Sequence, residues 1–428
     1  MKKRKGLNYD SSDLIDEYDS ENQGNQINQK NQGSDNMKQG WEKKKLSEVC
    51  RFINGRAYSQ NELLKEGKYP VLRVGNFYTN RDWYYSDLEL PDDKYCDKGD
   101  LLYAWSASFG PRIWDGEKVI YHYHIWKVEP IEKLIRKDFL FQLLEWDTEA
   151  LKTAHGTGTT MMHVGKGSIE KRLIPLPPLP EQQRIVAILD AAFAAIAKAK
   201  ANAQQNLQNA KELFESYLQG VFEKKGDGWV EKSLGEIADV EYGYTDKSIE
   251  EGDYRYVRIT DIDKNGELIL EDKKYIKYSK EAEGFLIQNN DLLMARTGAT
   301  FAKVLLFNGD EPSVFASYLI RIKFKEKIEN ALYWHFTKTK NYWEQANSLQ
   351  SGAAQPHFNG AAVKQVVFTY PKSVKEQKVL IEKFEKLSIE TKKLEDIYLK
   401  KLDDLEELKK SVLQKAFSGE LKTTAVTV

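Results

Sequence analysis

The 428-residue sequence contains few cysteines and no long apolar run. Its two cysteines, Cys50 and Cys96, have no spacing that indicates a metal site or a disulfide framework. Two isolated thiols are typical of a reducing cytoplasm. No apolar stretch approaches the length of a membrane span, and the basic MKKRK start lacks the apolar segment that follows in a signal peptide. We therefore predict a cytoplasmic protein without membrane association.

The sequence also lacks the motifs of nucleotide-binding and cofactor-using enzymes. It contains no GxxxxGK[ST] phosphate loop, no GxGxxG after a predicted strand, and no Asn-Pro-Pro-aromatic motif of amino-methyltransferases. Gly156 and Gly158 in HGTGTTMM complete neither glycine pattern. We predict that the chain is not an enzyme and binds no cofactor itself. The same absences and the limited length argue against a fused methyltransferase-nuclease.

Histidine usage does not indicate a metal site. The six histidines are scattered, and only His122 and His124 alternate along a predicted strand, where they would share one face. A zinc site needs at least a third ligand, and none lies near in sequence. We interpret both residues as packed or surface histidines and predict no bound metal.

The overall charge argues against a strongly basic nucleic-acid-binding protein. Sixty-four Lys and Arg residues face sixty-five Asp and Glu residues, which leaves a formal net charge of −1. Nucleic-acid contacts depend on where the charges lie rather than on their sum. A DNA-binding function therefore stays open.

What the chain does contain is an internal repeat. Trp41 opens the segment WEKKKLSEV, and Trp229 opens WVEKSLGEI 188 residues later. A constant order with a slowly growing offset indicates a duplicated unit with small insertions. Three further pairs are KGDLLYAWSAS and NNDLLMARTGA (offset 191), HVGKGSIEKRLIPLP and HFNGAAVKQVVFTYP (offset 194), and LFESYLQGVF and LKKSVLQKAF (offset 195).

The repeat and the composition divide the chain into five segments. The first 40 residues are rich in Asn, Gln, Ser, Asp and Gly and are predicted to be disordered; Met37 is an alternative start. The predicted segments are the tail 1–40, a first globular unit 41–173, a first helix and linker 174–228, a second globular unit 229–369, and a second helix and tail 370–428.

Both globular units combine predicted strands with one helix. Alternating and β-branched residues predict strands, and apolar residues at three- and four-residue spacing predict helices. The predicted strands are 69–74, 120–126, 254–262, 301–307 and 318–324, and the predicted helices are 132–151 and 328–346.

Each globular unit is followed by a predicted long helix. The first begins after IPLPPLPEQQ, where Pro180 suits the first helical position and a stiff spacer is favoured over an SH3-type ligand. The second begins at YPKSVKEQ, where Ser373 and Glu376 form a predicted capping box. Each helix has about 42 residues and spans roughly 63 Å.

One face of each long helix carries an apolar seam, which requires a partner. The simplest partner for each helix is the other one, running antiparallel. The fold class is therefore predicted as α/β (α+β), with two similar globular domains separated by an antiparallel coiled coil and related by a pseudo-twofold axis. The seam and partner-docking residues are Ile185, Leu189, Phe193, Leu207, Phe214, Leu387, Leu394, Leu405, Leu408 and Val412.

Arginine, aromatic and asparagine residues differ between the repeats, whereas the framework is kept. Arg73 matches Arg258, and Trp105 matches Arg296. Arg can read guanine and Asn can read adenine in the major groove, although ordinary surface variation after duplication gives the same pattern. The candidate DNA-binding residues are Arg56, Tyr58, Arg73, Asn76, Trp105, Ser106, Lys166, Tyr244, Arg258, Arg296, Thr297 and Lys303.

At EQQRIVAILDAAFAAI and LKKSVLQKAFSGEL the chain resembles the specificity subunit (HsdS) of type I restriction-modification systems. The resemblance covers about residues 41–421. It includes the paired Trp-plus-Leu openings, the Asp100-Leu-Leu and Asp291-Leu-Leu strands, the two proline-then-EQ helix starts and the terminal Ser418-Gly-Glu-Leu421. The Ala, Gln and Asn-rich middle of the first helix, 197–210, departs from a strong seam, and residues 1–40 have no counterpart in the second repeat.

The resemblance implies a non-catalytic DNA-recognition subunit from a bacterium or archaeon. Each globular unit would be a target recognition domain that reads one half of a split, asymmetric site in double-stranded DNA. The long helices would set the spacing and dock two methyltransferase (HsdM) subunits, and restriction (HsdR) subunits would join. S-adenosylmethionine, ATP and Mg would be used by these partners. The alternative from another class is a duplicated coiled-coil scaffold that binds protein partners.

Overall fold

The computed structural model describes residues 38–79, 82–106, 110–155, 164–351 and 357–421. Residues 1–37 of the predicted disordered tail, with Met37, lie outside the described residues, and so does most of the HGTGTTMM segment with His163. The chain divides into two units, residues 1–200 with 403–428 and residues 201–402. Each unit therefore combines one globular part with portions of both long helices.

The first unit contains ten strands and the start of the first long helix. We call the part from β1 to β10 head 1. Its strands are β1 Glu42–Lys45, β2 Cys50–Asn54, β3 Tyr69–Leu72, β4 Tyr84–Ser86, β5 Tyr95–Cys96, β6 Leu101–Ala104, β7 Gly110–Ile113, β8 Val119–Tyr121, β9 Ile125–Pro130 and β10 Leu173–Leu176. Its helices are α1 Leu46–Val49, α2 Val74–Tyr78, α3 Lys137–His155, α4 Lys166–Glu170 and α5 Leu179–Lys224, of which α5 continues into the second unit.

The second unit repeats this order. We call the part from β11 to β19 head 2. Its strands are β11 Trp229–Ser233, β12 Ala238–Tyr242, β13 Tyr254–Val257, β14 Tyr275–Ile276, β15 Leu292–Ala295, β16 Val304–Leu306, β17 Ser313–Phe315, β18 Leu319–Phe324 and β19 Val367–Pro371. Its helices are α6 Leu234–Ile237, α7 Lys280–Glu283, α8 Asn330–Phe336, α9 Lys340–Leu349, α10 Gly360–Gln365 and α11 Val374–Phe417, which returns to the first unit.

The two heads have matching sheets. The larger sheet has the strand order β2-β9-β6-β7 in head 1 and β12-β18-β15-β16 in head 2. In each smaller sheet one parallel pair lies at the same place, with Leu72 opposite Tyr121 and Val257 opposite Phe315. An antiparallel pair, β1 with β10 and β11 with β19, closes each head beside its long helix. The sequence repeat is therefore also a repeat of topology.

The central strand of each larger sheet is buried on both faces. In β6, Leu101 and Tyr103 pack into a core with α3, whereas Leu102 and Ala104 pack into a second core with the smaller sheet. Strand β15 divides its side chains between two cores in the same way. Residues on a strand point alternately to its two faces, so a strand covered on both sides reads as a continuous apolar run.

Several predicted elements are shorter or broken. The predicted strand 120–126 is wrong as a single strand, because residues 122–124 turn between β8 and β9 and only the ends pair. The predicted helix 132–151 begins later, at Lys137, and the predicted helix 328–346 divides into α8 and α9 at Thr337–Thr339. The strand predicted at 254–262 shortens to β13, because a 3-10 turn at Ile259–Asp261 replaces part of it. The strand predicted at 301–307 shortens to β16, because residues 301–302 form a turn.

The two long helices have 46 and 44 residues. Helix α5 begins at Leu179, so Pro180 occupies the second helical position rather than the first. At the start of α11 the Ser373 hydroxyl accepts a bond from the Glu376 amide at 3.4 Å, which is one half of the predicted capping box. Within the described residues, no helix is both long and apolar enough to cross a bilayer.

Within each unit the portions of the two long helices contact each other. In the first unit the ammonium of Lys200 pairs with Glu406, and the Lys409 ammonium lies 5.4 Å from the Phe193 ring centre. As residue numbers rise along α5 in this unit, the contacted numbers fall along α11, so these portions are antiparallel. In the second unit the Phe384 ring lies 6.1 Å from that of Tyr217.

The predicted seam is partly correct. Ile185 and Leu189 are buried. Leu394 and Leu408 are exposed, at 38% and 48% of their surface, so they do not lie in a buried seam of this chain, and their role in partner docking stays a prediction. From Leu405 to Leu413 the less exposed residues of α11 follow each other at steps of four. Leu408 lies three residues after Leu405 and is therefore rotated out of this stripe. The other predicted seam residues, Phe193, Leu207, Phe214, Leu387, Leu405 and Val412, are half-buried.

Candidate nucleic-acid interface

Three chain segments meet at one end of the larger sheet in head 1. They are the residues after β2, the residues after β6, and the turn between β8 and β9. Main-chain bonds join them: Gly55 N–H donates to Ile125 O at 3.2 Å, Arg56 N–H to Tyr121 O at 3.0 Å, and Trp105 N–H to His124 O at 3.1 Å. We call this meeting point the three-loop cluster.

Head 2 contains the same cluster with the same main-chain bonds. Gly243 N–H donates to Leu319 O at 3.1 Å, Tyr244 N–H to Phe315 O at 2.9 Å, and Arg296 N–H to Tyr318 O at 3.0 Å. Each donor and each acceptor in head 2 occupies the position of the equivalent residue in head 1. The clusters are therefore one structural site present twice.

A fourth segment approaches the cluster in both heads. Val164 N–H donates to Trp105 O at 3.1 Å, and Phe358 N–H donates to Arg296 O at 2.8 Å. These bonds lie immediately after the repeated histidine that opens the HVGKG and HFNGA segments. The sequence repeat at offset 194 therefore marks a part of the site and not only a helix connection.

Glycine is required at one position of each cluster. A β-carbon on Gly55 would lie closer than 3.0 Å to the carbonyl oxygen of His122, and one on Gly243 would overlap the carbonyl of Ala316 in the same way. Only a residue without a side chain allows two backbones to approach so closely. In the sequence the two glycines are visible as a repeat at an offset of 188 residues. The sequence does not show that the main chain crosses another segment closely at this glycine.

The side chains on this shared frame differ between the heads. The positions that correspond are Asn54 with Tyr242, Trp105 with Arg296, and His124 with Tyr318, since their neighbours make equivalent main-chain bonds. The anchoring bonds that the two heads share come from the main chain and are the same whichever side chains occupy these positions.

Head 1 presents a mainly aromatic cluster. The Trp105 indole donates to Tyr123 O at 2.7 Å and stacks on Trp126, with ring centres 5.9 Å apart and planes at 18°. Tyr123 is 40% exposed. Burial, followed by the neighbouring charges of His124 and Arg73, lowers the pKa of His122 to about 4. His122 is therefore neutral near pH 7.

Head 2 presents an arginine held between two tyrosines. The Arg296 guanidinium lies 5.1 Å from the ring centre of Tyr242 and 5.7 Å from that of Tyr318. Tyr242 is fixed in turn, because its hydroxyl accepts a bond from Gly360 N–H at 2.8 Å. Tyr318 is 55% exposed. The arrangement combines a fixed positive charge with exposed aromatic surface, which is typical of nucleic-acid-binding sites.

Two predicted arginines are held by carboxylates of their own head. Arg56 binds Glu62 through both terminal nitrogens, at 2.7 and 3.1 Å, and this contact lowers the pKa of Glu62 to about 2. Arg258 binds Asp261 at 2.7 and 3.2 Å. Both lie in or beside the cluster, but each ion pair occupies part of the five N–H donors of the guanidinium and offsets its charge.

Two other predicted residues are inaccessible. The side chains of Ser106 and Thr297 lie in residues only 4% and 3% exposed. In this conformation their side chains are not accessible to DNA, and their role in DNA binding stays a prediction. Tyr58 and Tyr244 are half-buried, and the Tyr244 hydroxyl lies 3.2 Å from that of Ser279.

The remaining predicted residues lie around the clusters. Arg73 is exposed and follows Leu72, whose carbonyl accepts from the His122 amide at 2.9 Å. Lys303 accepts through its carbonyl from Ala295 N–H at 2.8 Å, next to Arg296. Asn76 donates to Asp82 O at 3.2 Å, and Lys166 lies 3.7 Å from Glu170.

Sequence reasoning missed the exposed aromatic residues of the clusters. Tyr123, Tyr242 and Tyr318 were not among the candidates, although all three are at least 40% exposed. The sequence signal for these residues is weak. Tyr318 corresponds to His124 only at an offset of 194, and that offset is evident only in the later HVGKG and HFNGA segments.

Each head is fixed to its long helix by a buried glutamine. The Gln182 amide donates to Leu134 O and Pro177 O, both at 2.9 Å, and its oxygen accepts from Arg136 N–H at 2.9 Å. Both glutamines, Gln182 and Gln377, are fully buried. We call each such arrangement a glutamine joint.

Head 2 has an equivalent joint. The Gln377 amide donates to Lys327 O at 3.2 Å and Pro371 O at 2.9 Å, and its oxygen accepts from Glu329 N–H at 2.8 Å. The repeated EQ after each proline-containing segment was noted in sequence, and the structure shows that the glutamine is the structural element. It satisfies main-chain groups that would otherwise be buried without a partner.

No group of three or more potential metal-ligating side chains comes together anywhere in the described ranges. His122 and His124 have ring centres 4.9 Å apart. They lie on a turn, so the prediction that they share one face of a strand was wrong.

Comparisons with known proteins agree with this duplicated site. The family model described as "Type I restriction modification DNA specificity domain" matches residues 38–207 and again residues 226–404. The MjaVIII specificity subunit of Methanocaldococcus jannaschii is 24% identical over 411 residues, covering 90% of this chain and 94% of its own length. The EcoBI specificity subunit of Escherichia coli is also 24% identical, over 418 residues, with 89% and 86% covered.

Solved structures share the fold. A chain from a structure described as showing complex assembly and conformational transition of the type I R-M system has a TM-score of 0.71 at 18% identity, with 90% of this chain and 100% of that chain covered. The HsdS subunit from Thermoanaerobacter tengcongensis has a TM-score of 0.60 at 18% identity, with 91% and 99% covered. The family model accounts for most of the chain, in two copies that each contain one head. The chain therefore belongs to the type I restriction-modification specificity family and is a non-catalytic subunit that recognises DNA sequence.

Proposed function

We propose that each head reads one half of a two-part, asymmetric site in double-stranded DNA through its three-loop cluster. The observation that supports this most directly is the repeated frame with exchanged side chains: Trp105 and His124 in head 1 stand where Arg296 and Tyr318 stand in head 2. The same loop geometry with different side chains is what two different half-sites require.

The clusters supply two kinds of contact. Exposed tyrosines and Arg296 are placed to contact base edges or sugars, and surrounding lysines are placed to contact phosphates. Phosphate contacts orient a protein on DNA, whereas base contacts supply specificity. The near-neutral net charge of the chain, −1, favours a few placed contacts over a continuous basic surface.

We further propose that α5 and α11 pair as an antiparallel coiled coil that sets the distance between the half-sites. This extends the predicted pseudo-twofold arrangement. Two observations support it: the portions of α5 and α11 in the first unit are antiparallel, and a glutamine joint fixes each head to its helix.

The methylation and cleavage chemistry is assigned to partner subunits. Two methyltransferase (HsdM) subunits would dock on the long helices and use S-adenosylmethionine, and restriction (HsdR) subunits would use ATP and Mg. Exposed apolar side chains on α11, including Ile389 and Ile397 at 56% and 58%, offer surface for helix docking. The place of action would be the cytoplasm.

The test is methylome sequencing of cells that carry this chain with its methyltransferase partner. The expected result is a two-part adenine-methylated motif. Exchanging residues 229–369 for those of a relative with another specificity should change one half of the motif and leave the other half and the spacer unchanged. A change in both halves, or methylation without a motif, would contradict the proposal.

A further inference from the structure

Two arginines differ from all the other arginines within the described ranges. Nine of these eleven arginines lie within 4.0 Å of a carboxylate oxygen: Arg51, Arg56, Arg112, Arg136, Arg172, Arg184, Arg255, Arg258 and Arg321. Arg73 and Arg296 have no carboxylate partner among the described residues. Their guanidinium groups contact aromatic rings instead.

The two guanidinium groups are oriented by their rings. Arg73 is exposed and its guanidinium lies 5.1 Å from the ring centre of Tyr84. Arg296 lies between Tyr242 and Tyr318, at 5.1 and 5.7 Å. A guanidinium that lies over an aromatic face leaves its N–H donors available at its edge. The charge is held in place without being neutralised.

Arg296 belongs to the three-loop cluster of head 2, and Arg73 lies beside that of head 1. Arg296 is one of the positions exchanged between the heads. Arg73 follows Leu72, whose carbonyl accepts from the amide of His122 in the turn of the head 1 cluster. Its charge is close enough to lower the pKa of His122 further. Each head therefore places one carboxylate-free arginine at its site.

The two arginines do not occupy equivalent positions. At the place of Arg73, head 2 has Arg258, which Asp261 holds at 2.7 Å. At the place of Arg296, head 1 has Trp105, which stacks on Trp126. Each head thus has one available arginine, but on a different loop, so the two clusters present their strongest hydrogen-bond donor at different points.

We propose that Arg73 and Arg296 are specificity-determining residues, each of which reads one guanine in the half-site of its own head; this rests on the proposed DNA-reading function. The planar edge of a guanidinium donates two parallel bonds that match the O6 and N7 acceptors of guanine in the major groove. Adenine places an amino donor where guanine has O6, so the same arginine disfavours it.

Orientation favours a base over a phosphate as the ligand. A phosphate accepts bonds from many directions and is bound as well by a mobile lysine. A guanidinium that is oriented by an aromatic ring forms its strongest hydrogen bonds with a ligand that is planar and fixed in direction, such as the edge of a base. A phosphate contact nevertheless remains a distinct outcome of the experiment below.

The experiment uses the full chain assembled with its methyltransferase partner and a library of DNA sites. The variants are Arg296→Gln and Arg73→Gln. We expect each to lose preference for guanine at one position of one half-site, by about 5- to 150-fold for a lost two-bond contact. All other positions of the motif should stay unchanged.

Matched controls lie at the other end of the larger sheet in each head, away from the three-loop cluster. Arg51→Gln removes an exposed arginine that pairs with Glu129 at the start of β2, and Lys325→Gln removes an exposed lysine beyond the end of β18. Both should leave the motif unchanged. Arg296→Lys and Arg73→Lys keep the charge and remove the fork. Because lysine can also donate to O6 and N7 of guanine, they should retain more of the guanine preference than the glutamine variants do.

Three outcomes would overturn the inference. One is a half-site without guanine. Another is an equal loss of binding on all sequences with a smaller salt dependence, which identifies a phosphate contact. The third is an unchanged guanine preference in the glutamine variants. If the unmodified complex methylated DNA without any two-part motif, the proposed function itself would fail, which is a different result.

Discussion

Gly55 crosses the main chain of His122 so closely that a β-carbon at residue 55 would overlap the His122 carbonyl. Gly243 crosses Ala316 in the same way in head 2. In head 1 this crossing holds the loop after β2 against the turn before β9. In head 2 it holds the loop after β12 against the turn before β18. The three-loop cluster cannot form in the observed geometry with any larger residue at these positions.

Alanine at these glycines is expected to disrupt one cluster at a time. Gly55→Ala should change or abolish recognition of the half-site read by head 1 and should also destabilise that head, because overpacking costs typically 1–3 kcal/mol. Gly243→Ala should affect the other half-site. The measurement is the methylated motif together with the free energy of unfolding.

Gly220 provides the control for this prediction. It lies within α5, and a β-carbon there would meet nothing within 4 Å. Gly220→Ala should keep the motif and raise helix stability by up to about 1 kcal/mol. If Gly55→Ala left head 1 recognition intact, the close crossing would not be needed for the site.

The glutamine joints predict a second effect. Gln182→Leu would leave the carbonyls of Leu134 and Pro177 and the amide of Arg136 without their partner. An unsatisfied buried polar group costs about 1–3 kcal/mol, so a loss of roughly 3 kcal/mol or more is expected in chemical denaturation. The neighbouring Gln183 is exposed, and Gln183→Leu should change the stability very little. Equal effects of the two substitutions would contradict a role for the joint.

The pair of Arg172 and Asp147 predicts a third effect. Arg172 donates to Asp147 at 2.8 Å through its ε-nitrogen, and Asp147 is buried. Burial raises the pKa of Asp147, and Arg172 opposes that rise. Arg172→Met would leave a buried carboxylate without its partner and should cost about 3–5 kcal/mol. The double variant Arg172→Met with Asp147→Leu should recover part of the loss, because the unpaired charge is gone; no recovery would show that the pair is not the cause.

His335 predicts a dependence of stability on pH. Its ring is buried between Phe214 and Phe384, and neither ring nitrogen has a hydrogen-bond partner. Burial, followed by the charge of Lys338, lowers the pKa of His335 to about 3. The unfolded chain takes up a proton below about pH 6.5, while the folded chain does not until about pH 3. Stability should therefore fall as pH falls through this window, by up to about 1.4 kcal/mol per pH unit from this residue.

The check is denaturation of the full chain between pH 4 and 7 with His335→Leu. The variant should show a shallower loss of the free energy of unfolding at acidic pH, while His122, whose pKa is also lowered, continues to contribute in head 1. His357 is exposed, and His357→Gln should keep the original slope. An identical slope in His335→Leu would exclude His335 as the source.

The length of the long helices predicts the spacer of the DNA site. Inserting one heptad into α5 and one into the facing part of α11 lengthens each helix by about 10.5 Å. The spacer in the methylated motif should lengthen by about three base pairs at 3.4 Å each, and both half-sites should remain the same. Altered half-sites with an unchanged spacer would contradict the role of the helices in spacing.

The framework of each head could be predicted because it depends on local pattern. The repeated Asp-Leu-Leu segments became β6 and β15, whose burial on both faces produces the apolar run. The long helices followed from the absence of Gly and Pro between Glu181 and Gln219. The break at residues 122–124 was not predictable, because aromatic residues continue through it and the turn is imposed by bonds from Gly55, Arg56 and Trp105.

The composition of the site was only partly predictable. Arg73 and Arg296 were candidates and remain so. Arg56 and Arg258 were candidates for the same reason, yet Glu62 and Asp261 hold them. The acid three residues after Arg258 was visible in the sequence, but spacing alone does not show whether two side chains meet. The tyrosines around Arg296 come from distant segments, and only the folded chain brings them together.

The main-chain anchoring of the three-loop cluster separates selection for folding from selection for recognition. Substitutions at residues 54, 105 and 124, or at 242, 296 and 318, leave the shared main-chain bonds in place and change the chemical surface offered to a ligand; Trp105 and Tyr242 each add one side-chain bond, to Tyr123 O and from Gly360 N–H. New specificities can therefore arise through single substitutions without passing through unfolded intermediates. Over evolutionary time such positions should diverge quickly between related strains, while Gly55, Gly243, Gln182 and Gln377 should change slowly.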